Sequence, residues 1–173
     1  MGAQRAPARQ QSVDTPDSFG VAVVREDGKW RCAPLRRAAV SSLAAAETEL
    51  REIRSAGAVF GLLDIEDDFF VIVRPAPSGT RLLLSDATAA LEYDIAAEAL
   101  EKLDAEIELE ELEDAEPFEE GDLGLLSDIG LHEDVLRVIL ADPDLYADEQ
   151  LNSIAREMGF ADELSAVLER LGR

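Results

Sequence analysis

Nucleophiles, proton shuttles and metal ligands are scarce in this chain. It holds one histidine, His132, beside Glu133, and one cysteine, Cys32, a hundred positions away. A nucleophile, a base and an orienting group must sit within hydrogen-bond reach of one another. Without a second histidine or a partner for Cys32 no such set can be assembled. No G-x-x-x-x-G-K-[ST] loop is present to cradle phosphates. His132 reads as a surface residue near a helix start, its role set by position. Cys32 reads as an inert, buried strand residue. The consecutive carboxylates Glu66, Asp67 and Asp68 could hold a hard cation, but they lack the spacing and glycine of a calcium loop and fit a solvated turn better. The expectation is a non-enzymatic protein with no catalytic, cofactor-binding or metal-ligating residues.

Charge is the stronger signal. The formal net charge is -22, and residues 106–122 contribute ten acidic groups and no basic one. Two readings of this run stay open. It is a solvated linker, since like charges repel and extend. Or it docks a basic partner, because Ile107, Leu109, Leu112 and Phe118 interleave with the acids as in segments that fold on binding. On the second reading the contact residues are Glu106, Glu108, Glu110, Glu111, Glu113, Asp114 and Phe118. A chain of this charge is repelled by nucleic acid phosphates and anionic membrane, so direct contact with either is not expected, whereas a basic protein surface attracts it. The basic residues Arg25, Lys29, Arg31, Arg36 and Arg37 cluster instead, and read as charges that protect a strand edge. One cysteine excludes an intrachain disulfide and fits a reducing cytosol. No stretch is long and apolar enough to span a bilayer, and Met1–Ser18 lacks the apolar centre of a secretory signal. A cytoplasmic location is expected. Composition leaves the oligomeric state open.

The elements that would carry these residues follow from period and punctuation. Residues 1–18, with two prolines and no hydrophobic period, are expected to be a disordered tail. Phe19–Arg25 and Lys29–Ala33 form a hairpin about Asp27-Gly28, with Trp30 and Cys32 on one face and Lys29 and Arg31 on the other. Ser41–Ser55 is helical, its stripe Leu43, Ala46, Leu50 and Ile53 starting at a serine cap and ending at Gly57. Val59–Ile65, Phe69–Arg74 and Arg81–Ser85 form a β-meander. Its middle strand is apolar on both faces and so is central, covered by helices on at least one side. Asp86 would cap a second helix with the stripe Leu91, Ile95, Ala99 and Leu103. The predicted fold is α+β over residues 19–105, an antiparallel five-stranded sheet with two helices in the order β-β-α-β-β-β-α. An acidic linker, 106–121, and a small helical bundle, 122–173, follow. In the bundle Pro143 and the left-handed cap Gly159-Phe160 separate three amphipathic stripes, and a leading turn at Leu123, Leu125, Leu126 and Ile129 would contact the sheet.

Several stretches together resemble a known family. They are Phe70, Ile72, Val73 and Arg74; Leu84, Ser85, Asp86 and Ala87; the acidic run; Gly121–Gly130 (GDLGLLSDIG); and Gly159–Leu164 (GFADEL). In these the chain, from about Phe19 onward, is similar to the actinobacterial tRNA adenosine deaminase-associated proteins. Members usually begin near the position of Phe19, so the tail before it is a departure. The resemblance implies an accessory link to the deaminase that makes inosine in tRNA. It does not imply that this chain is the deaminase: that reaction needs a zinc site with H-x-E and P-C-x-x-C, which one histidine and one distant cysteine cannot supply. An acidic nucleic-acid mimic that blocks a nucleic-acid-binding protein is the alternative. The element order also matches longin-like and roadblock-like platforms, which is analogy and carries no function.

Overall fold

A computed structural model describes residues 18–173. All of the expected tail but Ser18 lies outside the described residues. The hairpin β1 (Phe19–Glu26) and β2 (Lys29–Pro34) forms as the Asp-Gly pair dictates, with Asp27 and Gly28 at φ 55° and 74° and Glu26 opposite Lys29. Trp30 and Cys32 are half-buried, while Lys29 and Arg31 are exposed. Helix α1 (Leu43–Arg51) starts where the Ser42 side chain accepts from the Ala45 amide, and Glu98 accepts from the amides of Leu43 and Ala44 at 2.9 and 3.0 Å. The helix stops short of Gly57. That glycine serves a different purpose, since a Cβ there would run into the Arg25 carbonyl.

The meander is β3 (Ala58–Ile65), β4 (Phe69–Ala76) and β5 (Gly79–Leu84). Asp86 accepts from the Thr88 amide and caps a short 3-10 turn, Ala87–Leu91. The second helix, α2 (Asp94–Lys102), begins later and buries Ile95, Ala96, Ala99 and Leu100, while Leu91 stays exposed. The prediction of one continuous capped helix from Asp86 is thereby corrected. The strand count is corrected as well. Glu120–Gly121 adds a sixth strand, β6, beside β5, so the antiparallel sheet runs β2-β1-β3-β4-β5-β6. The stretch 106–121, expected as a linker, also holds a short helix α3 (Leu109–Glu113).

Strand β4 explains the layering. Alternate side chains point to opposite faces, and all five from Phe69 to Val73 are buried, so both faces must be covered. Phe69, Val71 and Val73 pack with α1, α2 and Leu112 of α3. Phe70 and Ile72 pack beneath the C-terminal helices α4 (Glu133–Ala141), α5 (Ala147–Met158) and α6 (Ala161–Arg170). About 50 residues of helix are marginal alone, and here the sheet supplies their core. Gly159, at φ 103°, ends α5 in the predicted left-handed cap and turns the fully buried Phe160 onto Trp30 and Phe60, with ring centroids 5.0 and 6.0 Å apart. Leu125 and Leu126 of the leading turn are likewise fully buried.

Candidate partner-binding surface

Around the acidic run, burial and charge separate cleanly. Ile107, Leu112 and Phe118 turn inward and pack on the α1–α2 side of the sheet, and the Phe118 carbonyl accepts from the Ala87 amide at 2.7 Å. Glu106, Glu108, Glu110, Glu111, Glu113 and Asp114 all face solvent. The turn of helix that displays them is closed by the Glu108 amide donating to Glu111 Oε1 at 2.8 Å, an acid serving as its own N-terminal cap. Leu109 is 57% exposed and is the apolar side chain that stands among the acids. Six of the seven residues singled out from the sequence are therefore exposed, within one short stretch of chain. The seventh, Phe118, is half-buried.

Two arginines fix the far end of this surface. Arg81 Nε donates to Asp122 Oδ2 at 2.7 Å and its Nη2 to the Gly124 carbonyl at 3.2 Å. Arg74 grips Asp128 bidentately at 2.6 and 3.0 Å and also donates to the Leu125 carbonyl at 2.7 Å. These bonds from Arg74 hold the Asp128 carboxyl below its usual range. Arg74, Asp122 and Asp128 belong to the stretches that carry the family resemblance, and their role is to hold the start of the helical part on the sheet. Ser85 and Asp86 are also structural, Ser85 Oγ accepting from the Phe70 amide at 2.8 Å.

The residues weighed for chemistry are spread apart. His132 is exposed and caps α4, its Nδ1 accepting from the Asp134 amide at 3.1 Å. Cys32 sits under α6, where burial and the nearby Glu163 charge push its thiol up to about 12, which keeps it protonated and unreactive. Among the described residues no group of three or more acids, histidines or cysteines is arranged to hold a metal ion, and no helix is long and apolar enough to cross a membrane.

One polar residue escaped sequence reasoning. Asp64 of β3 is fully buried. Its Oδ1 accepts from the Asp67 amide at 2.9 Å, and among the described residues its Oδ2 has no hydrogen-bond partner. Burial, reinforced by the charges of Asp67 and Asp148, pushes its carboxyl up to about 7, against the lowering by the Asp67 amide and Arg173. The signal was visible as a single acid inside the apolar run Phe60–Ile65. Asp67 Oδ1 in turn accepts from the Asp148 amide at 2.9 Å, so the β3–β4 turn is tied to the first turn of α5.

The family described as Rv3753c-like tRNA adenosine deaminase-associated protein matches residues 18–161, which include both arginine clamps and the acidic surface. Protein Rv3753c of Mycobacterium tuberculosis is 76% identical over 173 residues, the whole of both chains, residues 1–17 included. No solved structure matches the chain. With the match spanning the sheet, the acidic stretch and the helical part as far as the start of α6, the chain belongs to the Rv3753c-like tRNA adenosine deaminase-associated protein family.

Proposed function

We propose that this protein is a non-catalytic accessory factor of the cytoplasm that binds the tRNA adenosine deaminase through the surface formed by Glu106, Glu108, Glu110, Glu111, Glu113 and Asp114. The observation that carries the reading is that these six acids are all exposed, without an intervening base, on a stretch whose apolar residues secure it to the sheet. The family's name supplies the deaminase. An enzyme that grips tRNA must offer a positive surface, and such a surface is drawn to this one. Leu109, exposed among the acids, adds an apolar contact that salt does not screen.

Calorimetric titration of purified deaminase with the full-length protein, at low and high salt and with or without tRNA, tests this. Binding weakens as the screening length falls from about 10 Å at 0.1 M to about 3 Å at 1 M salt, but does not vanish while Leu109 contributes. Neutralising the six acids to their amides removes most of the affinity. Binding alongside tRNA fits the accessory role. Competition with tRNA would favour a nucleic-acid mimic, and absence of heat at every salt together with absence of co-purification would remove the deaminase from the account.

A further inference from the structure

The opposite edge of the sheet differs from the acidic surface in sign and in backbone. In a two-residue hairpin the pair that closes the turn, here Glu26 and Lys29, is hydrogen-bonded, and the bonding alternates along the strands. Lys29, Arg31 and Ala33 therefore bond to β1, while the N–H and C=O groups of Trp30 and Cys32 point away from the sheet. Strand β2 is the last of the sheet, and among the described residues nothing pairs with those four groups. A groove of about 560 Å³ wraps around this edge. Ile53 and Ala33 line it on one face of the sheet, and Glu163, Ala166 and Arg170 of α6 on the other. Between them it is lined by Trp30, Arg31 and Cys32 of β2, with Ala22 and Val24 of β1. That is the shape of a slot for one more strand.

We propose that β2 accepts an extended acidic segment of a partner protein as a seventh strand, bonded to the backbone of Trp30 and Cys32 and held by Lys29, Arg31 and Arg170. Charge decides the occupant. In a chain of net charge -22 this edge presents Lys29 and Arg31 outward, Arg31 also reaching Glu26 at 3.4 Å, and Arg170 stands over the groove beside Glu163, so bases outnumber acids along it. A second copy pairing β2 against β2 would set Lys29 and Arg31 against their own counterparts, like charge against like. Basic edge residues of this kind prevent self-pairing and refuse basic strands. They leave an acidic strand as the one that fits, which is selectivity by exclusion. Alternate side chains of that strand would face Ile53 and α6, so acids interleaved with small apolar residues suit it.

Trp30 is the chain's one tryptophan, so its emission reports on the edge directly. The probe is an end-blocked peptide alternating glutamate and valine, added to the full-length protein. The controls are a lysine and valine peptide and the acidic peptide with proline at its centre. The expected result is a saturable change in Trp30 emission with the acidic peptide alone, together with slowed hydrogen exchange at the Trp30 and Cys32 amides. Cys32→Pro, which removes one outward N–H at an edge where proline is tolerated, weakens binding about tenfold. Because that variant disturbs a half-buried side chain, the pair Lys29→Glu and Arg31→Glu, both at exposed positions, provides a second test and abolishes binding. Three results would overturn the proposal: no protection of those amides at millimolar peptide, equal binding of the proline-containing peptide, or protection that rises with protein concentration alone.

Discussion

Replacing Asp64 by asparagine is expected to stabilise the protein at neutral and alkaline pH and to remove a large part of its pH dependence. Asp64 faces the C-terminal helices from β3, fully buried, with no hydrogen-bond partner for Oδ2 among the described residues. Desolvation raises its carboxyl to about 7, with Asp67 on the β3–β4 turn and Asp148 on α5 adding repulsion and Arg173 at the chain's end opposing it. In the unfolded chain the same group titrates near about 3.9. Between those values the folded state binds a proton that the unfolded state does not, so stability falls as pH rises through the folded value. A difference of about 3 units corresponds to about 4 kcal/mol in all, of which about 3 kcal/mol lies between pH 5 and pH 8. Asparagine keeps the oxygen that accepts from the Asp67 amide and carries no charge to desolvate. Urea unfolding at pH 5, 6.5 and 8 should show the parent losing stability across the range while Asp64→Asn stays nearly level, with the gap widest at pH 8. Parallel curves for the two proteins, or a variant weaker than the parent at pH 8, would refute the assignment of Asp64 as a buried carboxyl that resists ionisation.

Truncation in the two-faced strand should cost most of all: Phe70→Ala or Ile72→Ala is expected to lose about 2 to 5 kcal/mol in urea unfolding, since both side chains are fully buried under the C-terminal helices. His132→Ala should stay within about 1 kcal/mol, the worth of one exposed helix cap, and loss of a biological activity by that variant without loss of stability would show the histidine to have been misread. Arg74→Ala is expected to cost about 1 to 3 kcal/mol, chiefly by leaving the Leu125 carbonyl unbonded, because Asp128 is itself largely exposed. Asp128 is held below its usual range in the folded protein, so its contribution is present above the unfolded carboxylate value and is lost as pH falls below it. Acid unfolding of Arg74→Ala should therefore be less steep than that of the parent, and an unchanged profile would count against the clamp.

What could be read from the sequence was what local rules decide. Asp27-Gly28 forces its hairpin, and Gly159-Phe160 its left-handed cap. The run Phe69–Val73 declares itself central because no half-exposed strand can be apolar on both faces. Elements made by distant partners were illegible. Strand β6 has only two residues and no propensity of its own; it exists because the Asp122 amide reaches the Leu82 carbonyl and Arg81 holds the Asp122 side chain. The Asp86 cap was correctly sited but closes only a 3-10 turn, after which the chain re-enters a helix at Asp94. Ile107, Leu112 and Phe118 have no common period, so nothing in their spacing announced that all three turn inward. The exposed acids were easier to foresee. Ten carboxylates without a base cannot be buried, whatever the fold around them.

The inward turn of those three apolar residues bears on the proposed role. A disordered acidic tract must lose conformational freedom when it binds, and that cost is subtracted from every contact it makes. Here the stretch is held by its own side chains, by the hydrogen bond from Ala87 to Phe118, and by the pairing of β6, so the six acids are already gathered before a partner arrives. Gathering them has its own cost, because like charges on one short helix repel. The fold offsets that repulsion with apolar burial at Leu112 and with the Glu108–Glu111 cap, and no basic side chain intervenes among the six. On the proposed reading, a basic partner surface would relieve that repulsion. Selection for stability alone would have placed lysines among these acids, as it has paired Glu47 with Lys102 and Arg51 on the neighbouring helices. Under the proposed function, the neutralising charges for these acids come from the partner's basic surface.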